Sequence, residues 1–82
     1  MIESMPEASQ AEAFESHRAL LFSIAYRMTG SASDAQDLVQ ETYLRYQPRA
    51  SQEIVSLKAY LCTIVTRLAL DYLKSARVAR EQ

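Results

Sequence analysis

Glycine and proline are scarce in this 82-residue sequence, which contains one glycine and two prolines. Turn-rich all-β domains use such residues at their many turns, whereas long helices exclude them from their interiors. Apolar residues make up 49% of the chain, which separates it from disordered proteins. The composition therefore predicts an all-α domain, and the short length limits it to a single small hydrophobic core.

Residues that bind metals or carry covalent chemistry are almost absent. The single histidine, His17, and the single cysteine, Cys62, do not form a spaced metal-binding cluster, and one cysteine cannot form an internal disulfide. The chain also lacks a glycine-rich phosphate loop and a nucleophile with an identifiable base. We therefore expect a protein that is not an enzyme and that needs no cofactor and no metal.

Long apolar segments are missing as well. A membrane-spanning helix needs about 18 or more consecutive apolar residues, and the chain has no such run. No signal-peptide pattern is evident in it either. We therefore expect a soluble cytoplasmic protein without a membrane partner.

Apolar residues recur at helical spacing in three segments. The predicted helices span residues 11 to 29, 32 to 47 and 56 to 79. Pro48 disfavours helical geometry in the residue before it, so residues 48 to 55 are predicted to form a loop or one short turn. Residues 1 to 10 lack periodicity and are expected to form a flexible tail. The sequence thus predicts a compact bundle of three main helices within residues 11 to 82.

Residues suited to helix ends lie at the predicted boundaries. Gly30 can adopt the left-handed conformation that ends a helix. Ser31 and Ser33 are equivalent candidates for the N-cap of the second helix, because each precedes an acidic or amide residue by three positions. Ser56 is the expected N-cap of the third helix.

The core is predicted from the apolar face of each helix, because residues three and four apart lie on one side. The predicted core residues are Phe14, Leu21, Ile24, Ala25 and Met28 in the first helix, Ala35, Leu38, Val39, Thr42 and Tyr46 in the second, and Leu57, Leu61, Ile64, Leu68 and Tyr72 in the third.

The opposite side of the second helix carries an ordered acidic and amide stripe around a leucine. A leucine flanked by carboxylates suits a basic partner helix, because the charges orient the partner and the leucine provides an apolar anchor. A merely solvated helix face would have a similar composition. We call the residues of this stripe the docking face: Asp34, Asp37, Gln40, Glu41 and Leu44.

Charge is distributed unevenly along the chain, although the net charge is only −1. Residues 1 to 41 hold seven acids and two bases, whereas residues 42 to 82 hold seven bases and three acids. This division indicates two partners of opposite charge, one of them a polyanion. Chance clustering in a small protein is the alternative.

Three segments, taken together and in order, form a distinctive pattern. They read LLFSIAYRMTGS at residues 20 to 31, DAQDLVQETYLR at residues 34 to 45, and AYL followed by RLALDYLK between residues 59 and 74. This pattern resembles domain 2 of bacterial sigma factors, specifically of the extracytoplasmic-function group. The resemblance covers about residues 12 to 80, which is nearly all of the chain.

The resemblance implies partners for both charged halves of the chain. In sigma factors, the face that matches the docking face grips the coiled-coil clamp helices of the RNA polymerase β′ subunit. An anti-sigma factor is a further expected partner. The resemblance therefore assigns polymerase binding to Asp34, Asp37, Gln40, Glu41 and Leu44.

The resemblance also implies that the loop after the second helix, together with the third helix, meets promoter DNA at the melted minus-ten element. Trapping an unstacked base requires polar and stacking groups, and basic side chains contact phosphates. The residues expected to contact DNA are Arg49, Ser51, Gln52, Lys58, Tyr60, Arg67, Lys74 and Arg77.

Two of these positions depart from the family pattern. Most family members have tryptophan where this chain has Tyr60, and a tyrosine at helical spacing is also consistent with a core residue. Many members have asparagine where this chain has Arg67. An arginine can contact guanine edges or only a phosphate, so the departure leaves the promoter preference open.

Two rival functions remain open. A helical interaction module would bind polymerase or an anti-sigma protein without recognising a promoter. A self-associating bundle would bury the docking face in a dimer seam. The sequence also lacks the helix-turn-helix domain 4 of sigma factors, so we expect a fragment of a longer protein that binds DNA weakly on its own.

Overall fold

The structure is a computed structural model that describes residues 7 to 50 and 54 to 81. Helix α1 spans Glu7–Thr29, α2 spans Ala32–Tyr46, and α3 spans Leu57–Glu81. A 3-10 turn at Gln47–Arg49 follows α2, where a loop or short turn was expected. The predicted all-α bundle of three main helices is therefore confirmed.

The start of α1 differs from its predicted position. The helix begins at Glu7, four residues before the expected start at residue 11. Residues 7 to 10 carry no apolar stripe, but they contain no glycine or proline, so local helix propensity suffices to extend the helix. The predicted flexible tail is thus helical over residues 7 to 10, and residues 1 to 6 lie outside the described residues.

The connection between α1 and α2 is formed by a glycine cap and a serine cap. Gly30 has a φ of 73° and its N–H donates to the Tyr26 carbonyl across 2.7 Å, as a left-handed C-terminal cap requires. Ser31 Oγ accepts from the Asp34 N–H at 3.3 Å, which identifies Ser31 as the N-cap of α2. Ser33 contacts only the Ser31 hydroxyl among the hydrogen bonds of this turn, so its candidacy as the cap was wrong.

The three helices run up, down and up. Phe14 near the start of α1 packs against Tyr43 and Tyr46 near the end of α2, with ring centroids 4.9 and 6.0 Å apart. The start of α3 returns beside the end of α2, because Arg49 and Tyr60 line one depression. Ser56 caps α3 as predicted, since its Oγ accepts from the Ala59 N–H at 3.2 Å.

One hydrophobic core lies between the helices. Thr42 is its buried polar member, and its hydroxyl donates to the Leu38 carbonyl across 2.8 Å. Most predicted core positions are buried or half-buried, but two residues of α3, Val65 and Ala69, are fully buried although they were not predicted. The buried apolar residues are Phe14, Leu21, Ala25, Ala35, Val39, Tyr46, Leu61, Val65 and Ala69.

The prediction of Tyr72 as a core residue was wrong, because its side chain is 36% exposed. Residues 70 to 79 of α3 are exposed except for half-buried Ala76. These residues are exposed because α3, with 25 residues, is longer than α2, with 15. The end of α3 therefore extends past the turn that joins α1 to α2. We call residues 70 to 79 the α3 extension.

Burial of Tyr46 makes the stability of the bundle dependent on pH in the alkaline range. Tyr46 is 2% exposed, and burial together with the nearby Tyr43 raises its pKa above the ordinary value of 10.0. A raised folded-state pKa means that this contribution to stability is complete below the unfolded-state pKa and is lost as pH rises through the folded-state pKa.

We expect the native chain to lose more stability than Tyr46→Phe between about pH 9 and pH 11. The variant keeps the ring that stacks on Phe14 but has no ionisable hydroxyl. Urea unfolding across this range measures the difference, and Tyr26→Phe, at a tyrosine that is 47% exposed, is the control. Parallel pH profiles for the native chain and Tyr46→Phe would contradict this account.

Candidate functional site

The docking face lies on the side of α2 that faces away from the core. Ala35, Val39, Thr42 and Tyr46 form the buried side of the helix. The opposite side exposes Asp37, Gln40 and Leu44, and Leu44 is 51% exposed. Their spacing of three and four residues places them on successive turns. These three residues form the centre of the docking face.

Glu41 lies in the docking face but already has a partner within the domain. Its Oε2 accepts a hydrogen bond from Arg45 Nε across 3.1 Å, and both side chains are about half exposed. Such a surface pair adds little to stability. It does place a guanidinium beside Leu44, so the net negative charge of the face is lower than the acids alone indicate. The i,i+4 spacing in the sequence was the signal for this pair.

Asp34 lies at the edge of the docking face, on the side of α3. Tyr72 Oη donates a hydrogen bond to Asp34 Oδ2 across 2.5 Å. The contact joins residues that are 38 positions apart, so no local sequence pattern indicates it. The structure thus separates Asp34 from the outward centre of the face with which it was grouped.

The candidate DNA-contacting residues are brought together in part. An open depression of about 550 Å³ lies between the 3-10 turn after α2 and the first half of α3. Arg49 comes from the turn, whereas Tyr60 and Arg67 come from α3. Three residues predicted from different sequence positions therefore share one site. We call it the basic pocket, and its lining is completed by Ala59, Thr63 and Ile64.

The position of Tyr60 is compatible with both of the roles that were considered for it. It is half-buried and packs against the core, and it also lines the basic pocket. Thr63 and Ile64 were not predicted as site residues. They lie three and four positions after Tyr60 on α3, so helical spacing was the available signal once Tyr60 was included.

The other predicted DNA-contacting residues lie outside this pocket. Lys58 is exposed, but it precedes Arg67 by nine residues, or about two and a half helical turns, and so lies on the opposite side of α3. Lys74 follows Arg67 by seven residues, about two turns, and shares its side of the helix. Arg77 is exposed further along the α3 extension. Ser51 and Gln52 lie outside the described residues.

The chemistry of the basic pocket suits a polyanion with flat rings. Two guanidinium groups can contact phosphate or the edges of bases, and the tyrosine ring offers a stacking surface. The depression is open, which fits a segment of a polymer better than an enclosed small molecule.

Among residues 7 to 50 and 54 to 81, no group of three His, Cys, Asp or Glu side chains is arranged to hold a metal ion.

A second open groove, of about 520 Å³, lies between α1 and α2. Phe22 and Val39 give it an apolar floor, and Glu15 and Arg18 form an ion pair at its side with Nε and Oε2 2.8 Å apart. The sequence did not predict this groove.

Within residues 7 to 50 and 54 to 81, none of the helices combines the length and the apolar character that a membrane span requires.

The fold and these surfaces define an all-helical domain with an acidic face and a separate basic pocket. The family model described as Sigma-70 region 2 matches residues 13–78. The chain belongs to this family. The expected resemblance to domain 2 of extracytoplasmic-function sigma factors is thereby confirmed, because the similar proteins carry that designation in their names.

Similar proteins occur in Mycobacterium tuberculosis. The chain is 45% identical over 75 residues to the ECF RNA polymerase sigma factor SigJ of strain H37Rv, covering 92% of this chain and 23% of SigJ. It is 37% identical over 70 residues to the probable ECF RNA polymerase sigma factor SigI of strain CDC 1551, covering 85% of this chain and 24% of SigI. The chain thus spans about a quarter of each relative's length. No solved structure shows a significant similarity to the chain.

Proposed function

We propose that this domain acts in transcription initiation as part of a sigma factor. The centre of its docking face binds the clamp helices of the RNA polymerase β′ subunit, and its basic pocket recognises and melts the promoter minus-ten element. The observation that carries the proposal is the separation of an outward acidic face from a basic aromatic pocket within a Sigma-70 region 2 domain. The domain assists the polymerase and catalyses no reaction itself.

Polymerase binding is supported by the exposure of the centre of the docking face. Asp37 and Gln40 are exposed, and Asp37 takes part in neither of the ion pairs found within the described residues. Leu44 provides an apolar surface that a partner helix can cover. Charges around such an anchor fix the orientation of the partner and increase the association rate.

Promoter melting is supported by the composition of the basic pocket. Extruding a base from a duplex costs a few kcal/mol, and stacking on an aromatic side chain returns about 1–3 kcal/mol per base. Tyr60 supplies the ring, while Arg49 and Arg67 supply charge for the backbone on either side. A net charge of only −1 gives the domain no general attraction for DNA, so tight binding depends on the polymerase.

We expect Asp37→Arg and Leu44→Ala each to weaken binding to an isolated β′ clamp-helix fragment by about tenfold or more. The first substitution repels a basic helix, and the second removes the apolar anchor. Asp71→Arg and Leu70→Ala are matched controls, because Asp71 is an exposed acid on α3 and Leu70 is 54% exposed. Titration at two salt concentrations measures the affinities, and circular dichroism checks the fold.

A folded native chain that does not bind the fragment would contradict polymerase docking. Equal losses in the controls would show that the effect is not specific to the docking face. Concentration-dependent dimerisation that Leu44→Ala abolishes would instead support the self-associating bundle, in which the docking face is a dimer seam.

We expect Arg49→Gln and Arg67→Gln to weaken single-stranded DNA binding by the complex of this chain with core polymerase. Each substitution should reduce the slope of log affinity against log salt concentration by about 0.7 in magnitude. This is the value for one phosphate contact on a single strand. Lys58→Gln is the matched control, because it removes one positive charge from the opposite side of α3. Filter binding at a series of salt concentrations measures the slope.

Unchanged DNA binding in both pocket variants, with polymerase binding intact, would contradict promoter recognition by this pocket. It would support the rival helical interaction module, which contacts polymerase without reading DNA. A loss in Lys58→Gln as large as that in Arg67→Gln would place the DNA on a different surface of α3.

A further inference from the structure

The contact between Tyr72 and Asp34 lies at the boundary between packed and unpacked parts of α3. Ala69 is fully buried, and Tyr72 follows one helical turn later at 36% exposure. Its hydroxyl reaches the first turn of α2, where Asp34 Oδ2 accepts the hydrogen bond at 2.5 Å. The contact therefore joins α2 to the start of the α3 extension.

Directionality distinguishes this contact from ordinary packing. The hydrophobic effect is non-directional. A hydroxyl that donates to a carboxylate makes a short, charge-assisted hydrogen bond with restricted geometry. The main chain of Asp34 is also fixed, because its N–H donates to the Ser31 cap. The acceptor is thus held by the turn between α1 and α2.

The α3 extension is packed less well than the rest of the helix, because even its Leu73 and Tyr72 are 36% exposed. Isolated helices shorter than about 12–15 residues are marginal in water, and most helical stability in proteins comes from a buried face. The described residues of the extension are exposed except for half-buried Ala76. Fraying of this segment would move Lys74 and Arg77, which are candidate phosphate contacts.

We infer that Tyr72 and Asp34 form a positioning pair that keeps the α3 extension helical and fixed relative to the docking face. The inference rests on the proposed function insofar as the extension carries DNA contacts. It also revises the role expected for Asp34. This carboxylate acts within the domain, as the acceptor for Tyr72, rather than as a primary contact with polymerase.

The pair is tested first in the free 82-residue chain by amide hydrogen exchange. Tyr72→Phe and Asp34→Ala should each increase exchange about fivefold in residues 70 to 79, as loss of one hydrogen bond predicts. Exchange in residues 57 to 69 should not change. Tyr26→Phe is the matched control, because it removes a hydroxyl from an exposed tyrosine on α1.

Two further variants test whether Tyr72 and Asp34 act through one shared interaction or independently. The double variant Tyr72→Phe with Asp34→Ala should exchange no faster than either single variant, because both remove the same interaction. Asp34→Asn should retain part of the protection, since its amide oxygen still accepts a hydrogen bond. Additive effects in the double variant, or unchanged exchange in Tyr72→Phe, would overturn the inference.

A second measurement uses the complex of the chain with core polymerase. Tyr72→Phe and Asp34→Ala should weaken single-stranded DNA binding to the same extent and leave affinity for the clamp-helix fragment unchanged. Asp37→Arg should weaken clamp binding instead. Loss of clamp affinity in Asp34→Ala but not in Tyr72→Phe would overturn the inference, because Asp34 would then be a polymerase contact.

A result that contradicts the proposed function differs from one that contradicts the inference. If the native chain binds neither the clamp fragment nor DNA in the presence of polymerase, the proposed function is wrong. The exchange measurements in the free chain still decide whether the pair fixes the extension. The two claims are therefore judged by separate data.

Discussion

The surfaces of this domain depend on the unequal lengths of its packed helices. A 15-residue α2 packs along a 25-residue α3, so α2 covers only the first part of its neighbour. The covered part buries Leu61, Val65 and Ala69 in the common core. The remainder extends past the turn at Gly30. One packing arrangement therefore leaves both an outward face on α2 and an exposed basic extension on α3.

The separation of the docking face from the basic pocket follows from the same arrangement. Asp37 and Gln40 lie on the side of α2 opposite the core, whereas Arg49 and Arg67 meet in the pocket between the end of α2 and the start of α3. A net charge of −1 conceals this difference. Two surfaces with different charge can serve two partners at once, which suits a domain that links a protein to DNA.

The parts of the fold that could be predicted depend on local physics. Helical periodicity identified the core faces, and the caps at Gly30 and Ser56 follow from backbone geometry and side-chain hydrogen bonding. Periodicity also assigned Tyr72 to the core. That assignment was wrong because periodicity gives the side of a helix on which a residue lies, not whether another helix covers it at that point.

The candidate site could be predicted only in part for a similar reason. Spacing on one helix relates Tyr60 to Arg67, and it also shows that Lys58 lies on the other side of α3. Arg49 joins the pocket through tertiary packing, for which the sequence offers no local signal. The hydrogen bond between Asp34 and Tyr72 likewise arises only when two helices that are distant in sequence meet.

Site-specific crosslinking most directly tests the claim that the two surfaces bind different partners. A photo-crosslinking residue placed at Gln40 or at Thr63 reports from the docking face or the basic pocket in a complex with core polymerase and single-stranded promoter DNA. We expect crosslinks from position 40 to β′ and from position 63 to DNA. Crosslinks from both positions to the same partner, or none from position 40 to polymerase, would contradict the claim.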